Sequence, residues 1–427
     1  MTGRGDLLMI VHRIPYPPDK GDKIRSFNQL KFLAQKGWRV HLCTLADDPD
    51  DLRHAEALKK YCASVFVEPL RPRLQKIRSL AAPLRGIPMS ARYFYNQRLQ
   101  RRVDEVLASG NVAAVLCFCS PMAEYLYRSS LRPFASAGQG GIRLVLDLVD
   151  IDSDKWQQYA ASSGCPMKWI YALEGRLLHR YEQRVARDFH ATLLVSDAEA
   201  ETFRGRIGAE EAIYAVSNGV DLEFFHNHPP QGAARPTRIS FCGAMSYRPN
   251  IDAVCWFARE VLPLIRKALG EVEFVIVGGG AGREVQALAA LPGVRVTGRV
   301  EDVRGFVWES DLSVAPIMIA RGIQNKVLEA MALGVPALVT PLAFEGLEAE
   351  DGRDLVVAPA EPQAFAEAAI GLLEDPARRQ AITANARQVV EEKYSWEGRF
   401  KVLNEILAVL PWDKSVLGGG RNHDLHL

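Results

Sequence analysis

Residues 321–336 read Arg-Gly-Ile-Gln-Asn-Lys-Val-Leu-Glu-Ala-Met-Ala-Leu-Gly-Val-Pro, and this stretch says most about the fold and its use. The residues from Lys326 onward are strong helix formers, and Asn325 is a favourable N-cap for them. Gly334 ends the predicted helix, and the proline two residues later prevents its continuation. Lys326 and Glu329 are three residues apart, so they share one face of this helix.

A helix N-terminus with a lysine in its first turn favours a phosphate, because free backbone N–H groups and a positive charge meet there. Glu329, one turn deeper, is placed to accept hydrogen bonds from sugar hydroxyls. Together the two side chains predict a pocket for a nucleoside diphosphate sugar. The alternative is an ordinary amphipathic helix whose lysine and glutamate are solvated.

The stretch resembles the donor-site signature of family 4 glycosyltransferases, which have the two-domain GT-B fold. Other segments resemble that family in the same order along most of the chain: Ile14-Pro-Tyr-Pro-Pro-Asp-Lys-Gly-Asp22, Val216-Ser-Asn-Gly-Val-Asp221, Phe241-Cys-Gly-Ala-Met-Ser-Tyr-Arg-Pro-Asn250, Val277-Gly-Gly-Gly280 and Val296-Thr-Gly-Arg-Val-Glu-Asp302. The first of these segments and Asp147-Leu-Val-Asp-Ile-Asp-Ser153 also resemble one branch, the sugar transferases encoded beside bacterial exosortase (PEP-CTERM) polysaccharide loci.

The resemblance implies a retaining, metal-independent glycosyltransferase that moves a hexose-type sugar from a nucleotide diphosphate donor to a glycan or lipid-linked acceptor. The expected pathway is exopolysaccharide biosynthesis, and no cofactor beyond the donor substrate is expected. Two alternatives of the same architecture stay open. One is a nucleotide-sugar epimerase or a phosphorylase, and the other is a non-catalytic scaffold of a polysaccharide assembly complex.

The composition fits this class of protein. The chain has 427 residues, 48% of them hydrophobic and 24% charged, which is typical of globular domains and predicts about two or three of them. A net charge of +1 gives no overall attraction to nucleic acid. The seven cysteines are odd in number and form no Cys-x-x-Cys pair, so we expect reduced thiols and a cytoplasmic location.

Short apolar runs alternate with amphipathic helical patterns, as in βαβ units. The pattern breaks in the turn-rich residues 222–236 and then starts again. We therefore predict two facing, doubly wound, Rossmann-like α/β domains with a ligand cleft between them. Their predicted boundaries are 1–222 for the acceptor-binding domain, 223–395 for the nucleotide-sugar-binding domain, 396–410 for a helix that crosses back, and 411–427 for a flexible tail.

The resemblance implies that three residues take part in the reaction: Asp150, Arg248 and Lys326. The two cations would neutralise the charge that grows on the departing nucleoside diphosphate, which lowers the barrier to transfer. Asp150 would lie beside the acceptor and the reacting carbon. Donor binding is expected at a larger set of residues: Gly21, Gly243, Gly279, Arg321, Gly322, Ile323, Gln324, Asn325 and Glu329.

Arg248 and Asp150 also have non-catalytic explanations. Arg248 would otherwise be a surface arginine beside a proline. Asp150, Asp152 and Ser153 would otherwise be a helix-start cluster of good N-cap residues. Asp150-Ile-Asp152 also matches the Asp-x-Asp pattern that binds manganese in another class of glycosyltransferases, although we expect no metal site.

Arg321 departs from the family pattern, which is Glu-x7-Glu with Glu329 as the second glutamate. The first glutamate of the family usually accepts hydrogen bonds from sugar hydroxyls, whereas arginine has only donors. Three outcomes follow. The backbone amides of residues 322–324 hold the sugar, Arg321 donates to the sugar or to a uronate, or the site is inactive.

Residues 69–103 contain nine basic residues and no acidic one. Leu74, Ile77, Ala81 and Leu84 share one face if the segment is helical, so it predicts a basic amphipathic surface for an anionic membrane. Such a surface suits an acceptor that is anchored in the inner leaflet. The alternative is a solvated basic loop, and nucleic acid is not expected because interleaved aromatic platforms are lacking.

Overall fold

The computed structural model describes residues 4–18, 20–131, 141–208, 212–226, 236–319 and 323–408. They form two compact α/β units. The first contains the chain up to Val216 and the described residues from Phe400 onward, and the second is Ser217–Arg399. Each unit is built on a parallel sheet, so the prediction of two doubly wound α/β domains is confirmed.

The first domain has a seven-stranded parallel sheet in the order β3-β2-β1-β4-β5-β6-β7. Its strands are β1 (Asp6–Val11), β2 (Arg39–Ala46), β3 (Ser64–Pro69), β4 (Val112–Phe118), β5 (Arg143–Val149), β6 (Ala191–Leu194) and β7 (Ile213–Ala215). The strand order reverses between β1 and β4. The carboxyl ends of these two strands therefore flank the crevice where such sheets bind ligands.

Helices join these strands and cover the sheet. They are α1 (Gly21–Gln35), α2 (Ala55–Leu58), α3 (Pro72–Ser79), α4 (Met89–Tyr93), α5 (Gln97–Ala108), α6 (Glu124–Tyr127), α7 (Asp152–Ser162), α8 (Met167–Asp188) and α9 (Asp197–Ile207). Strand β1 is buried along its whole length, as its uninterrupted apolar run predicts for a parallel strand covered on both faces. The sequence pattern missed the edge strand β3, because its residues are only partly buried and lack a strong apolar run.

The second domain has a six-stranded parallel sheet in the order β10-β9-β8-β11-β12-β13. Its strands are β8 (Thr237–Cys242), β9 (Val272–Val277), β10 (Val294–Gly298), β11 (Leu312–Ala315), β12 (Ala337–Val339) and β13 (Val356–Val357). Here the order reverses between β8 and β11. The two loops that leave these strands therefore flank the ligand-binding position of this sheet.

The helices of the second half of the chain follow the same alternation. They are α10 (Arg248–Trp256), α11 (Leu262–Leu269), α12 (Arg283–Gln286), α13 (Arg304–Trp308), α14 (Asn325–Leu333), α15 (Pro341–Phe344), α16 (Pro362–Glu374), α17 (Pro376–Lys393), α18 (Trp396–Arg399) and α19 (Lys401–Ala408). A single π-helical turn, Phe257–Val261, joins α10 to α11.

Helix α14 is the helix predicted from residues 321–336, with one correction at its start. Gln324 occupies the N-cap without a side-chain cap, and Asn325 is the first helical residue. The Asn325 side chain is used elsewhere, because its Oδ1 accepts a hydrogen bond from Asn218 Nδ2 at 3.0 Å. At the other end, Gly334 is left-handed (φ 76°, ψ 34°) and ends the helix as expected.

The chain passes between the two units a few residues away from the boundaries predicted at 222 and 395. The Val220 N–H donates to the Tyr394 carbonyl at 2.7 Å, which joins the segment after Val216 to the second unit. Gly219 packs so closely there that a Cβ would lie 2.7 Å from the same carbonyl oxygen. The predicted junction is thus part of the second domain's fold.

Helix α19 packs on the first domain. The ring centroids of Phe400 and Phe32 are 5.7 Å apart, and Arg143 Nη1 donates to the Ile406 carbonyl at 2.5 Å. Trp38 Nε1 donates to Asn404 Oδ1 at 3.4 Å. Residues 409–427, which include the predicted tail, lie outside the described residues.

Two further findings concern the lengths of the helices and the state of the cysteines. None of the described helices is long and apolar enough to cross a membrane. All seven cysteines are free, and five of them are buried.

Candidate functional site

The donor side of the second domain is built from two loops at its strand-order reversal. The loop that begins at Gly243 leaves β8, and the segment before α14 leaves β11. Lys326 lies in the first turn of α14 and reaches toward the first loop. Its Nζ donates to Asn250 Oδ1 at 3.1 Å and to Gln324 Oε1 at 3.2 Å, and it lies 5.1 Å from the centroid of the Phe241 ring.

Both ionisable side chains of α14 have shifted pKa values. Burial lowers the pKa of Lys326 to about 8, although the charge of Glu329 partly offsets this. Burial also raises the pKa of Glu329 to about 7, although Lys326 partly offsets that. A diphosphate beside Lys326 would supply the missing negative charge and restore its ordinary protonation. The geometry therefore favours an anionic ligand at this point.

Two glycine-rich loops touch each other beside this lysine. The Gly243 N–H donates to the Val277 carbonyl at 3.0 Å, and the Met245 N–H donates to the Gly279 carbonyl at 2.8 Å. Gly278 has a φ of +146°, and a Cβ there would lie 1.8 Å from the Gly243 carbonyl oxygen. Only glycine fits that position, because both the backbone conformation and the space exclude a side chain.

Asn250 is a site residue that the sequence interpretation missed. It is buried, its Nδ2 donates to the Ala244 carbonyl at 3.0 Å, and its Oδ1 accepts from Lys326. It therefore fixes the shape of the Gly243 loop and the position of the lysine at once. Its place at the end of the family-like segment 241–250 could have indicated a site residue. Nothing in that pattern indicated that its partner is Lys326.

The other donor-side residues have different surroundings. Arg248 begins α10, and its side chain is 61% exposed and paired with Asp252 at 2.6 Å and with Glu284 at 3.2 Å. The exposed arginine thus already has two carboxylate partners. Ile323 is buried in the core of the second domain, so only its backbone is open to a ligand role. Arg321 and Gly322 lie outside the described residues.

The first domain has a charged network at the carboxyl end of β1. His12 Nε2 lies 3.0 Å from Asp22 Oδ2, and Arg13 Nη1 donates to the same oxygen at 2.8 Å. Arg13 Nε donates to Asp47 Oδ2 at 2.8 Å. Burial alone would raise the pKa of Asp22, but His12 and Arg13 hold it well below its ordinary value. Gly21, the exposed first residue of α1, stands next to this carboxylate.

The structure places His12 among aromatic rings at the strand-order reversal of the first sheet. Its ring stacks on Phe118, the last residue of β4, with centroids 5.7 Å apart. It also meets the edge of Phe94 at 5.2 Å. His12 Nδ1 is buried without a hydrogen-bond partner in the described part of the chain.

Asp150 follows a strained turn at the carboxyl end of β5. Val149 has a φ of 68°, which is unusual for a β-branched residue and marks a backbone held in place by its surroundings. Lys155 Nζ donates to Asp150 Oδ2 at 2.8 Å and to Asp152 Oδ1 at 3.1 Å. Burial would lower the pKa of Lys155, but the two carboxylates hold it well above its ordinary value.

The neighbouring strand β4 ends in a second strained residue. Cys119 has φ 65° and ψ 152°, a conformation that is nearly confined to glycine, and its N–H donates to the Asp147 carbonyl at 2.8 Å. Strain of this kind concentrates at functional sites, which makes the β4–β5 edge the candidate acceptor side. Within the described ranges, no three His, Cys, Asp or Glu side chains gather as they would around a metal ion.

Residues 236–375 match the family model described as Glycosyl transferases group 1. The chain is 20% identical to an uncharacterised 44.6 kDa protein in the cps region of Klebsiella pneumoniae, over 91% of this chain and 96% of that protein. It is 23% identical to a GDP-mannose-dependent monoacylated alpha-(1-6)-phosphatidylinositol monomannoside mannosyltransferase of Corynebacterium glutamicum, over 54% of this chain and 65% of that protein.

The fold is also found in a solved structure, Anabaena Alr3699/HepE in complex with UDP and glucose. The TM-score is 0.64 at 16% identity, and the match covers 95% of this chain and 99% of the other. The chain therefore has the GT-B fold. The family model covers residues 236–375, which lie in the second domain together with the Gly243 loop and helix α14.

Proposed function

We propose that this chain is a retaining glycosyltransferase that moves a hexose from a nucleoside diphosphate sugar to a glycan or lipid-linked acceptor in exopolysaccharide biosynthesis, without a metal ion. The observation that carries the proposal is the environment of Lys326. A partly buried ammonium with a lowered pKa stands at the first turn of α14, beside the glycine loops at the strand-order reversal of the second sheet.

That arrangement fits a leaving nucleoside diphosphate. The glycines leave the backbone open to a phosphate, and Lys326 with the α14 N-terminus supplies positive charge where negative charge grows during transfer. Glu329, on the same face, accepts hydrogen bonds from the ribose. Gly243, Gly279, Gln324 and Asn325 line the donor, and Arg321, Gly322 and the Ile323 backbone hold the sugar edge.

Arg248 contacts the diphosphate only if its guanidinium first breaks its ion pairs with Asp252 and Glu284. Its exposure leaves the side chain free to move, and exposed ion pairs of this kind hold a side chain weakly. We therefore assign Arg248 a contact with the outer phosphate, made on donor binding. Lys326 remains the main cation of the site.

The acceptor side is assigned to the β4–β5 edge of the first domain. The strained turn at Val149 presents Asp150, and we propose that its carboxylate orients the acceptor hydroxyl or stabilises charge at the reacting carbon. Lys155 occupies the carboxylates of Asp150 and Asp152, which supports a site that works without manganese. Retention of configuration rests on the family resemblance alone.

The relatives narrow the choice of donors and pathway. The Corynebacterium protein is named for GDP-mannose, and the Anabaena structure contains UDP and glucose, so UDP-glucose and GDP-mannose are the first donors to test. The exopolysaccharide role is supported by the PEP-CTERM-like segments around residues 14–22 and 147–153. The Klebsiella relative in the cps region agrees with it.

The test is a thermal-unfolding screen of UDP, GDP and their sugars, followed by a transfer assay. A ligand at 100 times its Kd should stabilise the protein by about 2.7 kcal/mol. The donor that stabilises it should then release its nucleoside diphosphate in the presence of a cell-derived lipid-linked glycan, and NMR should find the anomeric configuration of the donor in the product.

Several results would contradict the proposal. Interconversion of the nucleotide sugar without acceptor would indicate an epimerase. Donor binding without release of nucleoside diphosphate would indicate a scaffold. Loss of transfer in EDTA and its return with manganese would make Asp150 and Asp152 candidates for a metal site.

A further inference from the structure

Helix α3 and the turn after it carry their apolar side chains on the outside. We call residues 71–85 the α3 surface. Its backbone stays helical from Pro72 to the 3-10 turn that ends at Arg85, because Leu80 and Ala81 between them also have right-handed helical angles. Ile77, Leu80 and Leu84 are spaced three and four residues apart, so they project from one side of this segment.

The burial of this segment is the reverse of that expected for a helix on a globular domain. Ile77 is 68% exposed, Leu80 63% and Leu84 90%. The buried positions are Gln75, Ser79 and Ala82, which face the domain, and Gln75 Nε2 donates to the Tyr95 carbonyl at 2.9 Å. A helix normally turns its apolar side inward, so an apolar side turned outward indicates a partner.

The charges around these apolar side chains identify that partner. Arg71, Arg73, Lys76, Arg78 and Arg85 belong to the same segment, and in the part of the chain that the structure describes none of them forms an ion pair. No acidic residue occurs between Pro69 and Val103. Exposed leucine and isoleucine among unpaired cations are the two components by which a helix binds an anionic lipid surface.

We infer that the α3 surface docks this protein on an anionic membrane, with Ile77, Leu80 and Leu84 inserted among the lipids and the five cations at the headgroups. The surface lies wholly in the first domain, whereas Lys326 and Glu329 belong to the second. A second copy of the chain is a poor occupant, since two such surfaces would bring ten positive charges together.

The test is sedimentation of the full chain with vesicles of phosphatidylglycerol or of phosphatidylcholine. Binding should require phosphatidylglycerol and should weaken as salt is added, because exposed charges are screened. Arg73→Gln/Lys76→Gln/Arg78→Gln should reduce binding at least tenfold, given the roughly additive attraction of each cation near an anionic surface. Ile77→Ser/Leu84→Ser should reduce it by a similar factor.

Two control variants make the same kinds of substitution outside the α3 surface. Lys267→Gln/Arg378→Gln/Lys401→Gln removes three exposed cations, and Val402→Ser/Leu131→Ser removes two exposed apolar side chains. Both should bind vesicles as the parent does, and thermal unfolding should find all four variants folded. The readout needs neither donor nor acceptor, so its failure leaves the transferase proposal standing, and the reverse also holds.

Three outcomes would overturn the inference. The first is equal binding to both lipids. The second is an equal loss in the control variants. The third is a change in oligomeric state of the α3-surface variants in size-exclusion chromatography without a change in vesicle binding, which would make the surface a protein interface.

Discussion

Neutral side chains position the Lys326 ammonium, so its charge is available to a bound anion. Its ammonium contacts two side-chain amides, Asn250 and Gln324, and in the described residues it forms no ion pair. Burial disfavours its charge, whereas a bound diphosphate favours it. The same lysine in a solvated helix would have neither the shifted pKa nor the fixed position.

Lys326→Ala should fold normally and lose about 10²–10³ in the rate of transfer, since it removes a charge that stabilises the leaving group. Asn250→Ala should lose less, because it frees the lysine without removing it. Steady-state kinetics with the donor found in the screen measure both. Activity of Lys326→Ala within twofold of the parent would remove this lysine from the site.

Binding of a nucleoside diphosphate should take up protons above neutral pH. At about pH 8.5 most Lys326 side chains are neutral if their pKa is about 8, and the bound diphosphate raises that pKa, so each site gains a fraction of a proton. Calorimetry in buffers of different ionisation enthalpy measures this uptake. The Lys326 contribution should vanish near pH 6.5, where the ammonium is already formed. The absence of uptake at the higher pH would mean that Lys326 does not meet the phosphates.

Asp150 and Asp152 share the Lys155 ammonium, which makes them a matched pair. Asp150→Asn should reduce transfer by about 10²-fold, since it removes a charge aimed at the reacting carbon, with little change in nucleotide affinity. Asp152→Asn removes an equal charge from Lys155 and should leave transfer within about threefold. Equal losses would mean that both aspartates act only by holding Lys155.

At the scale of elements, the donor side depends on how closely the β8 and β9 loops approach each other. Gly278 lies against the Gly243 carbonyl, and its φ of +146° excludes a side chain. The loops thereby set the position of Asn250 and, through it, of Lys326. A substitution at Gly278 should therefore alter nucleotide binding, because it displaces Asn250 and Lys326.

Gly278→Ala should destabilise the protein by more than about 2 kcal/mol and weaken nucleotide binding, because the added Cβ forces the two loops apart. Gly371→Ala is the control, since it lies in α16, where an added Cβ would have no neighbouring atom within 4 Å, and it should be neutral or stabilise by up to about 1 kcal/mol. Chemical denaturation and calorimetry measure the two effects. Unchanged nucleotide affinity in a folded Gly278→Ala protein would contradict this coupling.

At the scale of the whole molecule, buried ion pairs join distant parts of the first domain. Arg25 of α1 donates to both oxygens of Asp147 on β5, at 2.7 and 3.1 Å, and both side chains are fully buried. The guanidinium also lies 5.9 Å from the centroid of the Phe400 ring. One arginine thus ties helix α1, the sheet and the C-terminal segment together.

Arg25→Met should lower the free energy of unfolding by about 3–5 kcal/mol, because Asp147 is left buried without its cation. The control Lys59→Met breaks an exposed pair with Glu56 and should cost less than about 1 kcal/mol. Nucleotide affinity should be unchanged in both, since the residues that surround Lys326 all belong to the second domain. A loss of nucleotide affinity in folded Arg25→Met would show that the domains are coupled.

Local patterns in the sequence were enough to predict two α/β domains and the helix that carries Lys326 and Glu329. These features depend on local patterns: apolar runs, helical spacing, and Gly334 as a stop. Edge strand β3 escaped prediction because its residues are only partly buried and its apolar run is three residues long.

Contacts between side chains that are far apart in the sequence appear only in the folded chain. The tertiary structure pairs Lys326 with Asn250, 76 positions apart, and Arg25 with Asp147, 122 positions apart. It also places Glu284 beside Arg248, 36 positions away, and turns Ile77 and Leu84 outward while Gln75 faces in. Periodicity gives the face of a helix, but burial, charge and pKa depend on what packs against that face, and the chain supplies those neighbours only when it folds.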